Sequence, residues 1–131
     1  MARVVDTDVF SYLLKNDTRA ALYKPHTKNQ FLVVSFMTVA EIEKWALRSA
    51  WGLRLRNNFE KTLRHYHVQN TTRELCRLWA AVVDEGRRTG KNIDDADAWI
   101  AATALYFDIP LVTHNAADFR SVSGLQVISE K

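Results

Sequence analysis

Three apolar runs, each too short for a helix and each closing on a polar side chain, restrict the folding of this chain more than any other feature. Arg3-Val4-Val5 ends on Asp6, Phe31-Leu32-Val33-Val34 on Ser35, and Leu111-Val112, preceded by Pro110, on Thr113. Short apolar runs with polar flanks read as buried strands. Helical spacing follows the first of them, in Val9-Phe10-Ser11-Tyr12-Leu13-Leu14, which puts a strand-to-helix turn at Asp6 to Asp8. After the second, Thr38 is the expected N-cap, with Glu41 three residues on at capping-box spacing. The helix it starts, through Ile42, Trp45 and Ala46, is expected to break near Gly52. Residues 16–30 are polar, contain Pro25, and read as a loop or a frayed helical connection.

Phe59, Leu63 and Tyr66 mark a further amphipathic helix, and His65 to Val68 a short strand. The clearest helix covers residues 72–85, where Leu75, Leu78, Trp79, Val82 and Val83 form one stripe and Gly86 and Gly90 mark the exit. Cys76 lies off that stripe, and Trp79 and Trp99 read as core. Asp94 or Asp95 caps the next helix, through Ile100 to Leu105; a turn at Asn115–Phe119 and a strand at Leu125–Ile128 complete the pattern. Strands alternating with helices imply an α/β fold, a small central parallel sheet with helices on both faces. With 131 residues, 47% hydrophobic and 25% charged, the chain fits one domain, 1–131, and is too apolar to be disordered. No run approaches the ~20 apolar residues of a membrane span. The N-terminus has no signal-peptide centre, and Cys76 has no internal partner, so the cytoplasm is the expected compartment.

Ligands in open parallel sheets bind beyond the carboxyl ends of the strands. Asp6 closes the first strand, Asp97 opens the helix before the Pro110 strand, Asp118 follows Thr113, and Glu41 can point into the same crevice. Each alone reads as a cap or a turn residue. Gathered together they would repel, unless a divalent cation sat among them. Mg²⁺ or Mn²⁺ prefers such hard oxygen ligands and can activate water against a phosphodiester. Lys and Arg total 18; with those four carboxylates set apart, the remaining acids number 11, a cationic excess suited to RNA or DNA.

At these residues the chain resembles the PIN-domain family, specifically the VapC-type toxins of bacterial toxin–antitoxin pairs. The resemblance lies in Val4-Val5-Asp6-Thr7-Asp8, Ser35-Phe36-Met37-Thr38-Val39-Ala40-Glu41-Ile42, Asp97 to Leu105, and Leu111 to Phe119. It implies a PIN-like fold, an Mg²⁺- or Mn²⁺-dependent endoribonuclease, a small antitoxin partner and a homodimer. Carried over by position, Asp6, Glu41 and Asp97 are acidic metal ligands. Relatives place a fourth acid two or five residues after the threonine, here Asn115 or Asp118; Asp118 is favoured, and Asn115 would orient a water or phosphate. Thr7 and Thr113 are placed to hold ligands or phosphate oxygens. Asp8 stands where many relatives carry Asn, and Trp45 where many carry a small residue.

Arg54, Arg56, Lys61 and Arg64, with Lys24, His26 and Lys28, are candidate contacts to an RNA backbone, or else a solvated face. Trp45, Trp51, Leu53 and Leu55 read as core, or as a groove for an antitoxin helix or a dimer contact. His65 and His67 lack the further ligands of a zinc site. Two rival functions remain. Asp6-Thr7-Asp8-Val9 resembles the nucleophile motif of haloacid-dehalogenase-like phosphatases, with Asp6 as nucleophile and Asp94-Asp95 as later acids, but Arg87–Asn92 is not the apolar strand that should precede those acids. A non-catalytic RNA- or protein-binding module would use its acids only as caps and ignore metal removal.

Overall fold

The computed structural model describes all 131 residues. In chain order the elements are β1 (Ala2–Val5), α1 (Thr7–Lys15), α2 (Ala20–Thr27), β2 (Phe31–Ser35), α3 (Phe36–Arg48), α4 (Leu53–Leu63), β3 (Tyr66–Gln69), α5 (Arg73–Arg88), α6 (Asp95–Phe107), β4 (Leu111–Val112), a 3₁₀ turn (Ala116–Phe119) and β5 (Val127–Ile128). The five strands form one parallel sheet in the order β3-β2-β1-β4-β5. Strands are added on opposite sides of β1, so the winding reverses between β1 and β4. That junction is where α/β sheets open a crevice.

Alternating side chains of the apolar strands divide between two cores. Val4, Val33 and Leu111 join Val82, Ile100, Ala101 and Ala104 from α5 and α6. Val5, Val34 and Val112 join Val9, Phe10, Ile42 and Phe59 from α1, α3 and α4. Burial on both faces explains why the strands are continuously apolar rather than alternating. Ala98, Ala101 and Ala102 of α6 are fully buried, small side chains that let this helix approach the sheet closely.

Several local expectations give way to tertiary packing. Residues 16–30 contain a real helix, α2, with Pro25 inside it. It forms because Tyr23 is fully buried, its hydroxyl 2.6 Å from His114 Nδ1 and accepting the Glu130 N–H at 3.1 Å. Pro25 and Ala21 face solvent, so the carbonyl left without a proline N–H can bond water. Ser35, not Thr38, caps α3, accepting the Met37 N–H at 3.0 Å, and no capping box forms. Tyr66 opens β3 rather than extending α4. The α5 helix runs through Gly86 to Arg88, one turn beyond its expected end. Gly86 is needed for close approach: a Cβ there would lie 2.9 Å from the Lys91 carbonyl oxygen. Trp79 and Trp99 are half-buried, stacked on each other with centroids 5.0 Å apart. No helix is long and apolar enough to cross a membrane.

Candidate functional site

β1 delivers Asp6 to the carboxyl edge of the sheet, 5% exposed, with its N–H bonded to the Val112 carbonyl at 2.9 Å. Its carboxylate caps α1: Oδ1 accepts the Thr7 N–H and Oδ2 the Thr113 hydroxyl, each at 2.7 Å. Each oxygen keeps a further lone pair, so capping leaves coordination capacity. Burial first, and then the charge of Asp8, push this carboxyl well above the usual range; the bonds from Thr113 and Thr7 oppose the rise, and Asp97 adds to it.

Glu41 reaches the same place from α3. Thr7 donates its hydroxyl proton to Glu41 Oε1 at 2.8 Å, and the Thr38 hydroxyl lies 2.9 Å from that of Thr7. A hydroxyl has one proton, so Thr38 must donate to Thr7, giving a relay Thr38–Thr7–Glu41. Thr38 is therefore a buried positioning side chain, whereas its sequence suggests a cap. Ser35, ending the β2 run, carries as good a capping signal.

Asp8 binds the opposite wall. Its Oδ1 accepts the Val9 N–H at 2.6 Å, and its Oδ2 accepts the His114 N–H at 3.1 Å and the Asn115 Nδ2 at 2.9 Å. The Asn115 N–H in turn donates to the Thr113 hydroxyl at 3.1 Å. Asp6 and Asp8 together latch the loop after β4 to the start of α1. Burial raises the Asp8 carboxyl, while these donors and His114 hold it down. The Asn115 amide nitrogen is committed to Asp8. Tyr23 and His114, which brace this loop from α2, carry no sequence signal, because they lie 91 residues apart.

Asp97, in the first turn of α6, and Asp118, on the 3₁₀ turn, line one hollow together with Asp94, the N-cap of α6. Burial, then Asp118, Asp94, Glu41 and Asp8, lift the Asp97 carboxyl from 3.8 to about 7. Asp97 thus feels the charges of Glu41 and Asp118, and is itself one of the charges that raise Asp6. The four acids do not form a closed ligand shell: no group of three or more His, Cys, Asp or Glu side chains stands ready to hold a metal ion. Repulsion between carboxylates acts over longer range than a coordination bond and favours their separation.

The expected basic contacts lie elsewhere. Arg54 and Lys61 line a groove with Leu14, Lys15, Asn16 and Leu55. Lys15 and Asn16 end α1, about 15 Å of helix from its start at Asp6. Arg56 ties the α3–α4 turn, donating to the Trp51 and Ala46 carbonyls at 3.2 and 3.4 Å. Arg64, at the end of α4, is exposed, and His26 pairs with Glu130 at 2.7 Å. His67 is held against Gln69 at 3.0 Å. Trp45, Trp51 and Leu55 are partly buried against the core, while Leu53 is 74% exposed. Asp94 and Asp95 follow a loop rather than the strand that the phosphatase reading requires.

Comparison with known proteins gives a consistent result. The chain is 29% identical over 135 aligned positions to the ribonuclease VapC1 of Haemophilus influenzae strain R2866, the match covering 96% of each chain. Its fold superposes on a structure of VapBC-1 from nontypeable Haemophilus influenzae with a TM-score of 0.83, at 27% identity and 98% coverage of each chain. VapBC2 from Rickettsia felis, solved bound to a promoter DNA fragment, superposes with a TM-score of 0.86 at 18% identity over the whole of both chains, a likeness of fold. The PIN domain family model matches residues 3–125. With the acids set at the sheet's reversal point and the family's pattern running almost end to end, this chain belongs to the PIN-domain family.

Proposed function

We propose that this chain is a metal-dependent endoribonuclease acting in the cytoplasm as the toxin of a type II toxin–antitoxin pair. One observation carries the reading: in a PIN-family chain, burial and then the charges of acids that the fold brings from three other segments raise the Asp97 carboxyl to about 7. The donor set fits a hard divalent cation, Mg²⁺ or Mn²⁺, since every ligand would be a carboxylate oxygen and the repulsion among them is what such an ion relieves. Asp6, Glu41, Asp97 and Asp118 would hold it, drawing closer than they now stand. A bound ion supplies Lewis acidity, polarising the phosphodiester and lowering the pKa of an attacking water.

The chain's own residues prepare that step. Thr7 and Thr113 orient Glu41 and Asp6 through their hydroxyls. Asp97 must lose its proton to become a ligand, so metal affinity should strengthen as pH rises towards about 7, and binding should release a proton. Asp8 and Asn115 fix the loop leading to Asp118. Arg54, Lys61 and Arg64 offer a more distant basic track for the RNA backbone. Leu47 of α3 and Leu53 of α4, 75% and 74% exposed, are apolar side chains free to meet a small antitoxin chain or a second copy.

The test is cleavage of purified RNA in Mg²⁺, against EDTA and against Asp6→Ala and Asp97→Asn. Cleavage should disappear in all three. Equal cleavage by a folded double variant refutes the assignment. Coexpression with the product of the neighbouring reading frame should give a complex that no longer cleaves.

A further inference from the structure

The hollow at Asp97 has a second wall of opposite sign. Besides Asp94, Asp97 and Asp118, this space of about 380 Å³ is lined by Lys91, Arg120 and Ser121. Lys91 lies in the turn between α5 and α6, and Arg120 directly follows the 3₁₀ turn; both are exposed. Neither is paired with the neighbouring acids. The chain's ion pairs are Arg19–Asp17, His26–Glu130, and Arg87 and Arg88 with Asp84. The Ser121 hydroxyl is buried with no hydrogen-bond partner. A buried donor left unbonded is unfavourable and rare in native structures, and a ligand oxygen would satisfy it.

A hollow lined only by acids would suit a cation alone. This one adds two unpaired cations and an unsatisfied hydroxyl, a donor set matched to phosphate oxygens: a planar fork on Arg120, a point charge on Lys91 and a neutral donor on Ser121. Both cations line the same hollow as the candidate metal ligands Asp97 and Asp118, so a chain held by them passes beside those acids. We propose that Lys91, Arg120 and Ser121 form a subsite for the RNA phosphate adjacent to the one cleaved. The inference rests on the nuclease reading of Asp97 and Asp118.

The probe is a fluorescein-labelled single-stranded oligoribonucleotide. In cleavage assays with Mg²⁺, the Lys91→Gln/Arg120→Gln double variant should raise KM roughly tenfold while kcat changes little. The salt dependence of log KM should also become shallower, by about 0.7 for each phosphate charge that is no longer neutralised. Arg120→Lys should recover much of the affinity, because the charge is kept. Ser121→Ala should raise KM by roughly twofold to fivefold without lowering Tm, whereas a hydroxyl needed for folding would lower it. Anisotropy in the Asp97→Asn background separates this inference from the reading beneath it. Weaker binding there by the double variant supports phosphate binding by these residues independently of cleavage, and cleavage by wild type then places that phosphate beside the scissile one. Cleavage by wild type with KM and salt slope unchanged in the double variant overturns the subsite alone. Wild type that binds without cleaving overturns the nuclease reading alone, and absence of binding overturns both.

Discussion

Replacing Asp97 by asparagine should make the metal-free protein more stable at neutral and alkaline pH. A negative charge in the first turn of a helix ordinarily helps, by about 0.3–1 kcal/mol. Here burial and the charges of Asp118, Asp94, Glu41 and Asp8 outweigh that benefit and lift the carboxyl from 3.8 to about 7. Between those values the folded chain holds a proton that the unfolded chain has released. Stability therefore falls as pH rises through the window and levels off above it. At face value the displacement from 3.8 to about 7 corresponds to about 4 kcal/mol. Asp97 is only half-buried, and solvent screening reduces this to roughly 1–2 kcal/mol. For a chain of this size the matching change in Tm is about 4–8 °C. Thermal unfolding followed by circular dichroism in EDTA, from pH 5 to pH 8, reads it directly. The gap between the two proteins should be small at pH 5 and widen up to pH 8, with Asp97→Asn the more stable throughout. A smaller downward slope should persist in the variant, because the Asp6 and Asp8 carboxyls are raised as well. Mg²⁺ should then raise the Tm of wild type more than that of the variant. Parallel pH curves, or a variant less stable at pH 8, would show that the acids do not oppose one another.

Other substitutions test the frame around the site. Thr113→Val removes a buried hydroxyl that donates to Asp6 and accepts from Asn115; it should lower stability by about 2–3 kcal/mol, most at high pH where Asp6 is ionised, seen as a lower urea midpoint with unchanged slope. Gly86→Ala should destabilise by about 1–3 kcal/mol despite alanine's better helix propensity, because the new Cβ meets the Lys91 carbonyl at 2.9 Å; a stabilised variant would refute that packing. Ile100→Ala, fully buried on the sheet face of α6, should cost about 2–5 kcal/mol in the same assay. Trp79→Ala should cost less, since that ring stacks on Trp99 at the surface.

The acids are legible individually in the sequence, but the bonds each one makes are not. Asp6 reads there either as a cap or as a ligand; in the fold it caps α1 and also faces the acidic centre, because a carboxylate has lone pairs for both. Asp8 stands out only as a departure from relatives. Its partners, His114 and Asn115, are more than a hundred residues away, and no local rule can name them. The basic residues divide for a related reason. Arg54 and Lys61 are conspicuous as a run, whereas Lys91 and Arg120 are isolated in sequence and share a hollow only through folding.

The amino-acid order by itself determined the α/β alternation, since short valine-rich runs suit only a strand covered on both faces and a 3.6-residue stripe suits only a helix. It also placed Asp6, Glu41, Asp97 and Asp118 next to strand ends or helix starts. Tertiary structure decided the strand order, the helix carrying Pro25, the passage of α5 through Gly86 and the mutual distances of the acids. Those outcomes depend on which distant surfaces meet. Hydrophobic burial and buried hydrogen bonds settle that, and they override local propensity wherever the two conflict.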